Sequence, residues 1–298
     1  MLKRTVTVMN PHHISARLEQ LIFSAKDGTD EKQVPVEDLG YLILDHPHTT
    51  ITQAAIQLLA KHNVGVVFSD EKHLPTSMLF HLDTHHIQTE RFRRQAEASE
   101  PLKKQLWAQT VKAKILNQAA VLERYGANEY KLLKNVAADV LSGDTSNREG
   151  MAARIYWSAL FGEDFNRERF GQWPNAALNY GYAILRACVA RALAGSGLLP
   201  TLGIHHSNKY NSFVLADDIM EPYRPYVDAI ARFIIYTDND TDVKELTKEH
   251  KQYFFEMLTQ DVVIEEQVRP LMNAVMVTTA SLAKCFEGNG RKVLYPEM

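Results

Sequence analysis

The spacing of hydrophobic residues along the chain changes near residue 100. Before that point, short runs of alternating or β-branched apolar residues end at turn-forming residues, which is typical of β-strands. These runs predict strands at Thr5–Met9, Gln20–Ser24, Gln33–Val36, Tyr41–Asp45 and Val64–Ser69. Between the last two runs, residues 50–63 place their apolar side chains on one face of a helix. The beginning of the chain is therefore predicted to be a small strand-rich region with one helix.

After residue 100 the apolar positions follow a helical period. Helices are predicted over residues 104–126, 128–142, 147–162, 175–195, 217–236, 244–260 and 265–286. The fold class is therefore α+β. We predict a β-rich N-terminal domain over residues 1–85, a polar connection over 86–100 and an all-α C-terminal domain over 101–298.

Composition agrees with a soluble protein that has a sizeable core. The 298 residues are 45% hydrophobic and 23% charged, with a formal net charge of −3, which neither indicates nor excludes a nucleic-acid partner. The first ten residues lack the apolar run of a signal peptide, and no stretch has the length and apolarity of a membrane span. Cys188 and Cys285 lie in apolar surroundings that favour reduced, buried thiols. We expect a cytoplasmic protein with no membrane partner.

Polar chemistry is concentrated in residues 203–222, GIHHSNKYNSFVLADDIMEP. Asp218 and Glu221 are three residues apart, so a helix would place both carboxylates on one face, and the preceding loop could bring a histidine to them. Carboxylates with one imidazole suit Mg²⁺ or Mn²⁺. Asp217 or Asp218 could equally be the N-cap of a helix, since aspartate is favoured there. Spacing by itself leaves both interpretations open.

Glu149 has two similar interpretations. Residues 146–149, SNRE, fit a capping box in which Ser146 caps the helix and Glu149 bonds back to the backbone. An acidic residue at the start of an apolar helix could instead point into a cleft.

Several sequence motifs are absent. The chain has no GxGxxG, GxxxxGK[ST] or GxSxG sequence, so nucleotide-binding loops and serine hydrolase chemistry have no support. The run RFRR at 91–94 could bind phosphates or form a solvated surface.

Four stretches, in the same order across most of the chain, resemble one family. They are LPTSMLF (74–80), SNREGMAARIYW (146–157), NAALNYGYAILRA (175–187) and GIHHSNKYNSFVLADDIMEPYRPYVD (203–228). Together they are similar to the CRISPR adaptation integrase, the nuclease and integrase of spacer acquisition, and are closest to its type II branch.

The resemblance implies a β-rich N-terminal domain, a helical catalytic domain and a Mg²⁺ or Mn²⁺ site. Its two acidic ligands correspond to Glu149 and Glu221, with Asp218 as a supplementary ligand. The family pattern of glycine, two variable residues and histidine begins at Gly203 and selects His206, while the adjacent His205 occupies a variable position.

The same resemblance implies an activity and partners. A 3′-hydroxyl of a short foreign DNA duplex would attack a phosphodiester of the repeat array, inserting the duplex as a new spacer; water in its place would give DNA hydrolysis. The resemblance implies a homodimer formed through the N-terminal domain, a complex with the small second CRISPR-associated adaptation protein, and the large type II effector as a further partner. Phosphate contacts would come from basic residues, for which the candidates are Arg91, Arg93, Arg94, Lys103, Lys104 and Arg224.

Two other functions compete with this hypothesis. The same histidine and carboxylates could serve a metal-dependent phosphohydrolase of small phosphate esters. Alternatively, the chain could be a non-catalytic DNA-binding or scaffold subunit in which Glu149, Asp218 and Glu221 only begin helices.

Overall fold

The computed structural model describes residues 4–71, 73, 75–79, 85–168, 171, 173–237 and 246–298. The chain divides into two compact units, Met1–Leu82 and Asp83–Met298. Residues 74 and 80 of the LPTSMLF stretch, and residues 244 and 245 of the predicted helix 244–260, lie outside the described residues.

In the part of the first unit that the structure describes, two four-stranded sheets and an α-helix are present. Its elements are β1 (Arg4–Val8), β2 (His12–Arg17), β3 (Gln20–Ala25), β4 (Glu31–Pro35), β5 (Leu39–Leu44), β6 (Thr50–Ile51), α1 (Gln53–Lys61), β7 (Gly65–Ser69) and β8 (Pro75–Met78). One sheet has the order β1-β5-β7-β8 and the other the order β4-β3-β2-β6. Both sheets and α1 contribute to one apolar core, for example through Ile14, Leu42 and Leu59.

All five strands predicted from the sequence are present, within two residues at each end. β2 was not predicted, because only Ile14 of its six residues is buried and the polar remainder hides the strand pattern. Its pairing with β3 on one side and β6 on the other makes it a strand.

The second unit is mostly helical. Its helices are α2 (Gln88–Ala96), α3 (Glu100–Arg124), α4 (Tyr130–Ala138), α5 (Arg148–Phe161), α6 (Asn175–Gly195), α7 (Val214–Met220), α8 (Arg224–Thr237), α9 (Lys248–Glu256) and α10 (Leu271–Phe286). The long helix α3 packs against α4, α5, α7 and α8. Because elements distant in sequence meet on it, side chains of α3 can lie between residues from several helices. The mixed α+β class predicted from the sequence is confirmed.

Three predictions for the second unit need correction. The stretch 86–100 is not only a connection, since it contains α2, which is tied to α10's end by an ion pair of 2.7 Å between Arg91 and Glu287. The predicted helix 217–236 is interrupted by a 3₁₀ turn at Glu221–Tyr223, which contains Pro222 and is followed by Pro225. Prolines lack the N–H that a continuous helix needs in its interior.

The third correction concerns the predicted helix 265–286 and the all-α description. Strands β9 (Asp261–Ile264) and β10 (Gln267–Pro270) form an antiparallel hairpin before α10 begins at Leu271. Glu265 and Glu266, both at positive φ, form its two-residue turn. Two consecutive residues in this conformation match the turn that the twist of a hairpin favours.

Candidate active site

Glu149 lies in the first turn of α5 but does not cap it. The N-cap is Asn147, whose side-chain oxygen accepts a hydrogen bond from the backbone N–H of Gly150 at 3.1 Å. Asp144 accepts from the backbone N–H of Glu149 itself at 3.0 Å. The capping-box interpretation with Ser146 is therefore wrong by one residue. Since other residues satisfy the helix start, the Glu149 carboxylate is available for a contact elsewhere.

Lys114 of α3 lies between Glu149 and Glu221. Its Nζ atom is 2.6 Å from an oxygen of each carboxylate. Glu221, in the 3₁₀ turn after α7, is 5% exposed and also pairs through its other oxygen with Arg224 at 3.0 Å. Two acidic residues 72 positions apart thus converge on one point.

Charge determines the protonation of Glu221. Burial by itself would raise the pKa of this carboxyl, but Arg224 and Lys114 outweigh burial and hold the pKa below its usual range. Burial likewise opposes the charge of Lys114, while Glu221 and Glu149 overcome it and raise the pKa of the ammonium. Glu221 is therefore held as an ionised carboxylate, which is the form that binds a cation.

Asp218 organises the loop that carries His206. This carboxylate is fully buried and accepts from the backbone N–H groups of Ile204 at 2.8 Å and His205 at 3.0 Å. Its other oxygen lies 2.5 Å from Nδ1 of His206, whose ring is 51% exposed. The hydrogen bond to Asp218 is the main reason that the pKa of His206 is raised, and burial opposes it. Both Asp218 oxygens are thus occupied by donors from one loop.

Gly203 allows this loop to approach Asp218. A Cβ atom at this position would lie 2.5 Å from a Val214 methyl, 2.6 Å from the carbonyl oxygen of His206 and 2.9 Å from Asp218 Oδ2. No side chain fits at these distances. The glycine that opens the Gly-x-x-His pattern therefore has a steric reason.

His205 and His206 occupy different environments. The His205 ring stacks on Trp107, with centroids 4.2 Å apart and planes 2° apart. Of these two histidines, His206 is the one whose ring is held by a carboxylate through Nδ1. When a neutral histidine donates its Nδ1 proton, the lone pair lies on Nε2, which is the arrangement of metal-binding histidines.

Neither aspartate caps α7, contrary to one interpretation of the sequence. The N-cap position is Phe213, and the helix begins at Val214. Asp217 instead pairs with Arg186 at 2.6 Å and accepts from the Asn211 side chain at 2.6 Å. Because the helix starts three residues earlier than its acidic residues suggested, both carboxylates lie within the helix and contact other segments.

Three of the six predicted phosphate-binding residues, Arg91, Arg94 and Arg224, make internal contacts. Arg91 donates to Glu287 and to the carbonyl of Ser196, and Arg224 pairs with Glu221 and lies 4.6 Å from the Tyr182 ring centroid. Arg94 pairs with Glu90, its neighbour one turn away, at 2.8 Å.

Of the other three, two are exposed and one is partly buried. Arg93 and Lys104 are exposed, and Lys103 pairs with Glu100 at 3.1 Å. Lys103 also lines a polar cavity of about 510 Å³ together with His206, Asn208 and Lys209. Basic side chains therefore stand beside the candidate histidine.

Within the described ranges, no three His, Cys, Asp or Glu side chains stand close enough to hold a metal ion together. The donor types are nevertheless suitable, since two carboxylates and one imidazole match a Mg²⁺ or Mn²⁺ site. Glu221 Oε2 is buried and lacks a hydrogen-bond partner, although Lys114 Nζ lies 2.6 Å away at an unsuitable angle. A buried carboxylate oxygen without a hydrogen bond is suited to coordinating a cation.

Known proteins resemble this chain over most of its length. The family model described as CRISPR associated protein Cas1 matches residues 6–266. The chain belongs to the Cas1 family. A Cas1 from Neisseria meningitidis serogroup C, named a CRISPR-associated endonuclease, is 37% identical over 100% of this chain and 97% of its own length. A Cas1 endonuclease from Francisella tularensis subsp. novicida is 27% identical over 96% and 89%.

Solved structures share the Cas1 fold. A casposase bound to integration product superposes with a TM-score of 0.79 and 20% identity, over 98% of this chain and 92% of that one. A Cas1 protein from Thermotoga maritima gives 0.74 and 16%, over 96% and 97%. A chain of a Cas6-RT-Cas1–Cas2 complex gives 0.73 and 19%, over 99% of this chain and 36% of that longer one.

Lys114 lies at the candidate site, and the sequence analysis did not identify it. It lies three residues after the buried Val111 and four before the buried Gln118, on the inward face of α3. A lysine on the buried stripe of a helix was the available signal, because an unpaired charge there would be costly.

None of the described helices is both long and apolar enough to cross a membrane.

Proposed function

We propose that this chain is a Mg²⁺- or Mn²⁺-dependent DNA endonuclease and integrase that inserts short foreign DNA duplexes into a CRISPR array. The proposal is carried by the convergence of Glu149 and Glu221 on the Nζ atom of Lys114. An oxygen of each carboxylate lies 2.6 Å from that atom. Membership of the Cas1 family and the likeness to a casposase bound to integration product support the same reaction.

Glu149, Glu221 and His206 would hold the metal ion. Bound there, the ion would lower the pKa of the attacking hydroxyl and stabilise charge on the phosphate in the transition state. Asp218 would act on His206 rather than on the ion, because its two oxygens already accept from the histidine ring and from the loop backbone. This is the role of a carboxylate that orients a ligating histidine.

The remaining residues of the site would bind and position DNA. Lys103 and Lys209 line the cavity that includes His206, so a phosphate backbone in that cavity would be attracted toward the reacting position. Arg224 would stabilise the ionised form of Glu221 through its ion pair. In strand transfer, the 3′-oxygen forms a bond to phosphorus while the bond to the repeat's own 3′-oxygen breaks. One phosphodiester bond replaces another, so the reaction needs no nucleoside triphosphate.

The partners proposed for this activity are a second copy of the chain, bound through the first unit, and the small second CRISPR-associated adaptation protein. A complex containing Cas1 and Cas2 among the structural relatives supports the second of these partners. The large type II effector is proposed as a further partner, and the cytoplasm as the place of action.

The test uses a splayed DNA duplex and a plasmid carrying a repeat, with Mn²⁺, Mg²⁺ or EDTA. The wild-type chain should cleave the splayed DNA and join its 3′-end to the plasmid only with a metal ion. Glu149→Gln and His206→Ala should lose both products while keeping the wild-type circular dichroism spectrum. Glu123→Gln removes an exposed carboxylate of α3 that pairs with Lys134, and should retain activity.

A 3′-deoxy end separates the two reactions, since it should abolish joining and leave cleavage. Metal-dependent release of phosphate from small esters without DNA cleavage would replace the proposal with a phosphohydrolase. DNA binding without any product, in wild type and variants alike, would indicate a scaffold subunit.

A further inference from the structure

Lys114 occupies the space where the two acidic candidate ligands meet. Its ammonium touches Glu149 from the first turn of α5 and Glu221 from the 3₁₀ turn after α7. The side chain of Lys114 is 12% exposed, and those of Glu149 and Glu221 are 24% and 7% exposed. Three segments of the chain thus direct opposite charges to one nearly buried point.

The contacts of this ammonium are unequal. Lys114 donates a hydrogen bond to Glu149 Oε1, whereas its approach to Glu221 Oε2 lacks hydrogen-bond geometry. The second contact is therefore an attraction between charges, which does not depend on direction. A spherical cation makes this kind of contact equally well with both carboxylates.

Distance also fits a cation at this point. The two oxygens lie 2.6 Å from the ammonium nitrogen. Oxygen ligands lie about 2.0–2.1 Å from Mg²⁺. A shift of roughly half an ångström at each carboxylate would therefore convert the ammonium site into metal-binding distances. An ammonium and a divalent ion cannot share the position, because they occupy the same space and repel each other.

Without any cation, Glu149 and Glu221 would face each other across a poorly solvated gap. Two carboxylates that share such a site repel, and their ionised forms are disfavoured. Arg224 pairs with the other oxygen of Glu221. Lys114 is therefore the group that links the two carboxylates before a metal arrives.

We propose that Lys114 is an internal placeholder for the divalent cation: it holds Glu149 and Glu221 in place in the metal-free protein and withdraws when the metal binds. This inference rests on the proposed metal site. The lysine's flexible four-carbon stem allows the ammonium to move without backbone change. Because the metal ion must displace Lys114, the apparent affinity of the site for the metal ion is lower than the carboxylates alone would provide.

The first experiment measures Mn²⁺ binding to the full chain by calorimetry and by the Mn²⁺ paramagnetic resonance signal. Lys114→Met removes the charge and keeps most of the volume. Lys112→Met, an exposed lysine on the same helix, is the matched control. We expect Lys114→Met to bind Mn²⁺ at least tenfold more tightly than wild type, with a lower melting temperature in EDTA and a larger rise on adding Mn²⁺. Equal or weaker binding by Lys114→Met would overturn the placeholder role.

A second measurement uses the wild-type chain and so does not depend on a folded variant. Reductive methylation of lysines, read by mass spectrometry, should modify Lys114 slowly in EDTA and faster with Mn²⁺, while Lys112 stays constant. Unchanged or slower modification of Lys114 with Mn²⁺ would contradict its withdrawal.

The two proposals fail differently. If Glu149→Gln and Glu221→Gln leave Mn²⁺ binding unchanged, the proposed metal site itself is wrong. If these variants lose binding while Lys114→Met does not gain it, the site stands and only the placeholder is rejected.

Discussion

Oδ1 of Asp218 lies 2.5 Å from Nδ1 of His206, and Asp218 is completely buried beneath the loop that carries the histidine. The same carboxylate accepts from the backbone of that loop. One buried acid therefore sets both the path of the loop and the orientation of the ring, which assigns Asp218 to positioning His206.

Asp218→Asn should separate positioning from loss of fold. The amide keeps the volume but replaces one acceptor with a donor, so it can bond to the His206 ring only in the tautomer that carries its proton on Nε2, where no lone pair remains for a metal ion. We expect about 10- to 100-fold weaker Mn²⁺ binding, as for other partners of ligating histidines, with a matching loss of DNA cleavage. Calorimetry and a cleavage assay measure the two effects. Asp217→Asn, at the adjacent position, should change Mn²⁺ affinity by less than the Asp218 variant; equal effects would argue against a specific role for Asp218.

Gly203→Ala should disturb the same loop by steric conflict. The new methyl group would lie within 3 Å of Val214, His206 and Asp218 atoms, so the loop must move. Overpacking of this kind costs about 1–3 kcal/mol. We expect that loss in urea unfolding, together with weaker Mn²⁺ binding. Gly195→Ala, at a position with no atoms within 4 Å of the added methyl, is the control. Wild-type metal affinity in Gly203→Ala would show that the loop tolerates displacement.

Asn147, and not Ser146, should contribute the N-cap of α5. Asn147 adopts a left-handed backbone conformation and its side chain accepts from Gly150. Asn147→Ala should lower the free energy of unfolding by about 1–2 kcal/mol, because it removes this hydrogen bond. Asn147→Gly should cost only a few tenths, and Ser146→Ala should stay within about 0.5 kcal/mol. Urea unfolding of the three variants checks the order; a larger loss in Ser146→Ala would restore the capping box.

Asp228 should make stability depend on pH. Burial raises the pKa of this carboxyl from 3.8 to about 7, although Tyr182 and Tyr156 donate hydrogen bonds to it. The folded state thus holds a proton that the unfolded state releases above pH 3.8. This contribution to stability is complete below pH 3.8 and is lost as the pH rises to about 7, at about 1.4 kcal/mol per pH unit.

The Asp228→Asn variant has no carboxyl that titrates at this position. Its free energy of unfolding relative to that of wild type should therefore rise between pH 4 and 7. Urea unfolding of both proteins at pH 5, 6 and 7 measures the difference. Parallel stability curves for the two proteins would show that Asp228 does not titrate in this range.

The sequence by itself determined the class of fold and the identity of the candidate ligands. The change from strand to helix spacing near residue 100 was visible because burial of one face imposes a local period on the apolar residues. Glu149, His206 and Glu221 were implied as ligands by the resemblance of local motifs to the family, whereas spacing by itself left helix capping open. The starts of the helices that begin at residues 148 and 214 were each misplaced. Several acidic and polar residues near each start could cap the helix equally well, and tertiary contacts selected among them.

Only the tertiary structure decided what the polar side chains contact. Lys114 lies 35 residues from Glu149 along the chain, and its contact with that carboxylate exists because α3 and α5 pack together. Asp218 resembled a helix cap or a ligand in the sequence, and its burial under residues 204–206 made it the group that orients His206. Local patterns record which face of an element is buried, whereas the partner of a buried charge depends on how distant elements pack.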